Sequence, residues 1–203
     1  MNAYEYENSV TTICFIRHGE TDWNSSGRLQ GNEDIELNNL GRGQAIQIAQ
    51  YFETEHWDFV VSSPLKRAFE TAQIIASRLA IPTVHVFDEF KERSYGSASG
   101  LLPEERHRTF PYGIPDQEEF EHLRLRAVAG LNKIVNDFKG KRIIVVSHGA
   151  LTNSILYTLS NGDFGSFKTR LQNGCINKLI LKNMIWEIEF YNKTAEELKM
   201  LLI

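Results

Sequence analysis

Cysteine is scarce in this chain, because only Cys14 and Cys175 occur among its 203 residues. Two cysteines so far apart exclude a disulfide framework and a Cys-x-x-Cys metal pair, and they predict buried free thiols in a reducing cytosol. No apolar run is long enough to cross a bilayer, and Met1 to Ser9 is polar and acidic rather than typical of a secretory signal. These absences predict a cytoplasmic protein with no membrane partner.

A strong excess of charge is also absent. The sequence has 22 Lys and Arg residues against 26 Asp and Glu residues, which gives a formal net charge of −4. This balance does not favour a nucleic acid as partner, so an anion site needs local clustering of Arg and His. The sequence also has no Walker loop, no GxGxxG motif and no His-x-x-x-His pair. We therefore predict no nucleotide cofactor and no metal.

Short apolar runs alternate with helical periodicity along the chain. The strand patterns lie at residues 12–17, 59–62, 84–87, 142–147, 176–181 and 185–190. The helical patterns lie at residues 41–55, 64–79, 117–138 and 150–159, and the tail from residue 194 is a short amphipathic helix or a frayed end. This alternation predicts an α/β sandwich with a mainly parallel sheet, and it leaves the strand order open.

Two segments lack this periodicity. Residues 22–40 read as a long loop, and residues 93–116, which hold most of the prolines, read as an irregular lid. Loops of this length in compact domains are usually functional. Ser62 and Ser63, just before Pro64, are candidate caps for the helix that follows.

Two of the buried strand patterns end in a His-Gly pair, at His18-Gly19 and at His148-Gly149. Ligands of open α/β sheets bind in a crevice at the carboxyl ends of the strands, where two such histidines can meet. A lone histidine is usually structural, but Arg17 beside His18 supplies a planar cation suited to phosphate. Gly19 is expected to let the backbone approach a ligand closely.

Two further residues fit an anion site. Arg67 lies in the first turn of the predicted helix, where the helix dipole disfavours a cation, and this suggests a bound anion. Glu92 is a carboxylate that can exchange a proton with a leaving oxygen near a basic pocket. Taken singly, Arg67 reads equally well as a solvated residue, and Glu92 reads better as a surface charge.

Taken together, these segments resemble the histidine phosphatase superfamily, the phosphoglycerate mutase-like proteins. The resemblance covers nearly the whole chain and rests on the order and spacing of Arg17 to Asn24, Leu29 to Gly31, Ser62 to Ala68, Glu92 to Gly96, and Ser147 to Gly149. It implies one domain over residues 1–203, built as a three-layer α/β/α sandwich with a mainly parallel central sheet. It also implies a small lid insertion at about residues 93–125.

The resemblance also implies roles for individual residues. His18 looks like the nucleophile that becomes phosphohistidine, and Glu92 looks like the general acid and then the base. Arg17, Arg67 and His148 look like catalytic groups of the phosphate pocket. The residues that this likeness places in contact with phosphate or substrate are Arg17, Asn24, Gln30, Gly31, Arg67, His148 and Gly149.

Within the family, the sequence looks like the short, broad-specificity phosphatases of bacteria, acting on a small phosphorylated metabolite. After Gly100, where the cofactor-dependent mutases carry a basic stretch, the lysine is missing and the acids Glu104 and Glu105 replace it, and Ser94 stands where mutases usually carry a histidine. A bisphosphoglycerate-dependent mutase and a non-catalytic regulator that binds phosphorylated ligands stay as alternatives. The basic run 106–108 either reaches over the pocket or is a solvated turn. The strand at 185–190 is consistent with a monomer or with an edge-paired homodimer.

Overall fold

The computed structural model describes residues 9–201 and contains a six-stranded sheet in the order β3-β2-β4-β1-β5-β6. The strands are β1 (Thr11–Arg17), β2 (Phe59–Ser62), β3 (Val84–Val86), β4 (Arg142–Ser147), β5 (Ile176–Lys182) and β6 (Ile185–Lys193). β1, β2, β3 and β4 are mutually parallel, whereas β5 and β6 add to β1 as an antiparallel pair. The prediction of a mainly parallel sheet is confirmed, and the strand order now places β1 beside β4.

The helices cover both faces of this sheet. They are α1 (Asp22–Ser25), α2 (Asn39–Phe52), α3 (Lys66–Arg78), α4 (Pro103–Thr109), α5 (Phe120–Asp137), α6 (Gly149–Leu159) and α7 (Ala195–Met200). Side chains alternate along a strand, so Ile13 and Phe15 of β1 pack with α5 and α6, while Cys14 and Ile16 pack with α2, α3 and α7. The predicted three-layer α/β/α sandwich is therefore confirmed.

The central strands are buried because both of their faces are apolar. Ile13, Phe15 and Ile16 of β1 and the run 143–146 of β4 have no exposed surface. This is the burial expected of parallel strands that are covered by helices on both sides. The two histidines that follow these strands are therefore attached to backbone that is held by packing on both faces.

Several predicted element boundaries were wrong. The helix predicted from Pro64 begins at Lys66, and Ser62 and Ser63 do not cap it, because its N-cap is Leu65 with no side-chain bond. The Ser63 hydroxyl lies instead against His148.

The loop predicted at residues 22–40 contains the short helix α1, which is closed by a capping box between Thr21 and Asn24. The tail is a helix rather than a frayed end, because Thr194 and Glu197 form a second capping box there.

The predicted lid is less irregular than its sequence suggests. Residues 103–109 form α4, with Pro103 in its first turn, acids at its start and bases at its end, which suits the helix dipole. α5 begins at Phe120 rather than at residue 117, so residues 120–125 of the expected lid belong to a helix that packs on the sheet. Among residues 9–201, no helix combines the length and apolar character needed to cross a membrane.

Candidate active site

A cleft of about 330 Å³ opens where β1 and β4 end. All the predicted site residues line it except His148, which lies fully buried with its ring centroid 5.2 Å from that of His18. The structure thus brings together both histidines, both arginines and the carboxylate. Adjacent parallel strands end at the same sheet edge, so the two His-Gly pairs meet there as the sequence predicted.

His18 follows β1 and continues its pairing, since its backbone N–H donates to the Ser147 carbonyl at 3.0 Å. Its Nδ1–H donates to the Gly19 carbonyl at 2.7 Å, because a carbonyl oxygen can only accept. The lone pair is therefore on Nε2, where Arg67 Nε donates at 3.2 Å. Burial, and then Arg67 and Arg17, lower the pKa of His18 well below its usual range. The ring is held neutral, with one nitrogen available for attack.

Arg67 is 1% exposed, although it is a full-length cation. Its Nη2 donates to the Gly31 carbonyl at 2.7 Å and its Nη1 to the Glu33 carbonyl at 2.6 Å. Both acceptors lie in the segment 22–40, which folds over the start of α3, and Gly31 adopts a positive φ there. Burial lowers the pKa of Arg67 to about 10, so it stays charged at neutral pH. Arg67 makes no salt bridge within residues 9–201, so its charge remains available to an anion.

The guanidinium group of Arg17 is hydrogen-bonded through one nitrogen and has a second nitrogen without a partner in the described residues. Its Nη1 donates to the Leu171 carbonyl at 2.6 Å, while its Nε is buried without a hydrogen-bond partner among the described residues. A Cβ at Gly149 would lie 3.5 Å from this Nε, an ordinary van der Waals distance, so packing against Arg17 does not require glycine there.

The expected reason for Gly19 was wrong. A Cβ on Gly19 would lie 2.3 Å from the Gly41 carbonyl oxygen, which is far below any normal contact. Glycine is required here so that the loop after β1 can rest directly on the first turn of α2, rather than so that a ligand can approach. This close packing of two backbones helps to fix the position of His18.

Glu92 lies beside the N-terminus of α6 and is 9% exposed. Its Oε1 accepts from the N–H groups of Arg93 at 2.8 Å and Leu151 at 3.1 Å, and its Oε2 accepts from that of Ala150 at 3.1 Å. These three bonds orient the carboxylate at the cleft. Among residues 9–201 it makes no ion pair, so both oxygens serve the backbone and the cleft only.

Asn24 and Gln30 also line the cleft. Asn24 Oδ1 accepts from Thr21 and from Asn173 Nδ2, so its carbonyl side is occupied and its amide N–H₂ group is left for a ligand. Gln30 is buried, and its Oε1 has no hydrogen-bond partner in the described part of the chain.

Some lining residues were missed or left open by the sequence. Arg28, Asn153 and Arg170 line the cleft, and no motif or periodicity marked them. Tyr95 also lines it, and burial raises its pKa.

The basic run 106–108 also stays outside the cleft. His107 and Arg108 are exposed on α4, and none of the three basic side chains lines the site. This arrangement fits the reading of a solvated surface rather than a second anion site.

Fixed guanidinium groups around a neutral histidine, with a carboxylate opposite, define a site for phosphoryl transfer. Residues 13–194 match the family model of the histidine phosphatase superfamily, branch 1. The chain belongs to this superfamily, and the expected phosphatase activity is confirmed at the level of the family.

Related proteins cover most of the chain. The phosphatase PhoE of Bacillus subtilis is 41% identical over 184 residues, which are 90% of this chain and 95% of that protein. A metal-independent phosphoserine phosphatase of Arabidopsis thaliana is 34% identical over 203 residues, or 93% of this chain and 84% of that protein. A phosphoserine phosphatase of Entamoeba histolytica, solved with phosphoserine, has a TM-score of 0.79 and 28% identity, and the match covers 93% of this chain and 99% of that one.

The two buried histidines predict a loss of stability in mild acid. Burial lowers the pKa of both His18 and His148 below the usual 6.5, so the unfolded chain binds more protons as the pH falls below that value. Their contribution to stability is complete above pH 6.5 and is lost below it, by about 2 kcal/mol between pH 6.5 and 5.5. Urea unfolding at these pH values measures the loss, and His148→Asn should roughly halve it. An unchanged free energy of unfolding would contradict the prediction.

Proposed function

We propose that the protein hydrolyses small phosphate monoesters through a phosphohistidine at His18. The observation that carries this proposal is the hydrogen-bonding of His18, with Nδ1–H on the Gly19 carbonyl and the Nε2 lone pair facing Arg67 Nε at 3.2 Å. A ring fixed in this tautomer is ready to attack phosphorus without losing a proton first.

Two displacements complete the reaction. In the first, His18 Nε2 forms a bond to phosphorus, the phosphorus–oxygen ester bond breaks, and Glu92 gives its proton to the leaving alkoxide. In the second, Glu92 takes a proton from water, the hydroxide attacks phosphorus, and the phosphorus–nitrogen bond breaks to release phosphate. Arg17 and Arg67 stabilise the charge on the equatorial oxygens, which is the main requirement of phosphoryl transfer.

We further propose that the substrate carries a carboxylate near its phosphate ester, as phosphoserine does. Arg28 and Arg170 line the same cleft beyond the phosphate arginines, and Arg170 makes no ion pair within residues 9–201. A cleft with this excess of cations suits an ester with a second negative group. The phosphoserine phosphatases among the relatives support the same class. We also propose a cytoplasmic location, supported by the two buried free thiols.

A panel of metabolite phosphates, assayed in chelator with and without bisphosphoglycerate, tests the proposal. We expect hydrolysis that survives chelation, with phosphoserine and phosphoglycerates ahead of sugar phosphates. Transfer between phosphoglycerates that exceeds hydrolysis would instead make the chain a mutase, although the acidic run after Gly100 disfavours that. Binding of phosphate esters with no turnover would make it a regulator, which the presence of both His18 and Glu92 in one cleft disfavours.

Arg170→Met tests the carboxylate contact. The change keeps an unbranched stem but removes the charged guanidinium group, so kcat/KM for phosphoserine should fall about tenfold or more, the value of one charge-assisted hydrogen bond. p-Nitrophenyl phosphate has no carboxylate, and its kcat/KM should change less than about twofold by the same reasoning. Arg108→Met, on the exposed side of α4, is the matched control. Equal losses on both substrates would argue against a carboxylate site at Arg170.

A further inference from the structure

The buried serine beside His148 has no role in the mechanism described so far. Ser63 is fully buried, and its Oγ lies 2.8 Å from His148 Nε2. The same oxygen accepts the backbone N–H of Leu65 at 3.3 Å. His148 is itself fully buried, and its Nδ1 has no hydrogen-bond partner in the described residues. One ring nitrogen is therefore hydrogen-bonded, and the other has no partner in the described residues.

The direction of the Ser63–His148 bond follows from counting protons. A hydroxyl has one proton to donate, and His148 Nε2 is the only acceptor within reach of Ser63 Oγ among residues 9–201. If Nε2 carried the ring proton, it would donate to Ser63 Oγ, and both the serine proton and the Nδ1 lone pair would be buried without a partner in the described residues. If Nε2 is bare, the hydroxyl donates to it, and the one donor left without an acceptor among residues 9–201 is His148 Nδ1–H, which a phosphoryl oxygen would satisfy.

We infer that Ser63 is a positioning residue that holds His148 in the Nδ1–H form, so that this N–H is presented as a donor to the phosphoryl group. This inference rests on the proposed function in one respect, which is that the group bound by the Nδ1–H donor is a phosphoryl group. The ring of His148 lies beside that of His18, with centroids 5.2 Å apart, so it neighbours the atom that takes up the phosphoryl group.

The tautomer matters because His148 is neutral. Burial, and then Arg67 and His18, lower its pKa well below the usual range, so the ring carries a single proton. With that proton on Nδ1, this nitrogen is an N–H donor and attracts a phosphoryl oxygen. With the proton on Nε2, Nδ1 would present a lone pair to the same oxygen and repel it. The hydroxyl of Ser63 therefore selects between attraction and repulsion at the reacting group.

The first test reads the tautomer directly in the unaltered protein. ¹⁵N NMR of the histidine side chains distinguishes a protonated from a bare ring nitrogen, and His148→Asn identifies the His148 signals. We expect a protonated Nδ1 and a bare Nε2. A protonated Nε2 in the unaltered protein would overturn the inference, whether or not a phosphohistidine forms at His18. This separates its failure from a failure of the proposed function, which the absence of the His18 adduct would show.

The second test compares Ser63→Ala with Ser62→Ala. Both serines are fully buried neighbours, but the Ser62 hydroxyl donates to the Ser63 backbone carbonyl and does not face His148. We expect Ser63→Ala to lower kcat about ten- to a hundredfold with KM changed less than about threefold, because the contact acts on the reacting group.

The two readouts must agree. The His148 signals of Ser63→Ala should show the tautomer redistributed, and Ser62→Ala should keep both kcat and the tautomer. A kcat for Ser63→Ala within twofold of that for Ser62→Ala would overturn the inference. If Ser63→Ala does not fold, the tautomer of the unaltered protein decides the question.

Discussion

His18→Ala is expected to lower kcat by about four powers of ten or more, as the loss of a covalent nucleophile does in other enzymes. Among the residues that the structure describes, His18 Nε2 is the only side-chain atom that accepts a hydrogen bond from Arg67, so no other nucleophile is held in its place. The arginines remain in place because their partners are the carbonyls of Gly31, Glu33 and Leu171. Inorganic phosphate should therefore still bind, with an inhibition constant within about tenfold of the original.

A rapid acid-free quench with labelled ester measures the same change at the level of the intermediate. The unaltered protein should yield an adduct that is stable to alkali and labile to acid, and His18→Ala should yield none. His122→Ala, an exposed position on α5, is the control and should keep both turnover and adduct. Turnover near the original value in His18→Ala, or an adduct at another residue, would remove His18 from the mechanism.

The residues that the sequence identified share one property, which is that their position follows from local pattern. A buried strand that ends at a sheet edge places the next residue at that edge, so His18 and His148 could be predicted together before the strand order was known. The order itself depends on which strands pair, and nothing in the periodicity of β1 and β4 states that they are neighbours.

Arg67 shows both the strength and the limit of such reasoning. Its place in the first turn of α3 opposes the helix dipole, and this local conflict pointed to an anion site; the structure places Arg67 in the cleft. The conflict is resolved by the Gly31 and Glu33 carbonyls, which come from a distant segment. The sequence contained the conflict but not its partners, because the fold of residues 22–40 brings them in.

Ser63 and Arg170 were missed for related reasons. Ser63 before a proline matches a helix cap, and the competing partner, His148, is brought to it only by the pairing of β2 with β4. Arg170 lies in a segment without periodicity, where one more basic side chain carries no signal. Gly19 was identified as important for a wrong reason, because its close neighbour Gly41 belongs to another element.

Glu92→Gln should separate the two displacements, since it keeps the size of the side chain and removes its proton. For phosphoserine, whose leaving alkoxide needs that proton, kcat should fall about 10²- to 10⁴-fold, the usual range for a general acid. p-Nitrophenyl phosphate releases a weakly basic phenolate that needs no proton, so its first step should lose much less. The second step lacks the base for water with either substrate.

The aryl substrate should therefore give Glu92→Gln a burst of about one nitrophenolate per active site, followed by a slow steady rate, with phosphohistidine accumulating at His18. Glu104→Gln, an exposed position on α4, is the control and should show no burst and an unchanged rate. In this variant the amide N–H₂ of Gln faces at least one of the backbone N–H donors of Arg93, Ala150 and Leu151. Two donors that face each other destabilise the fold, so the melting temperature of the variant is measured alongside its activity. Equal losses on the two substrates with no burst would show that Glu92 positions the cleft and transfers no proton.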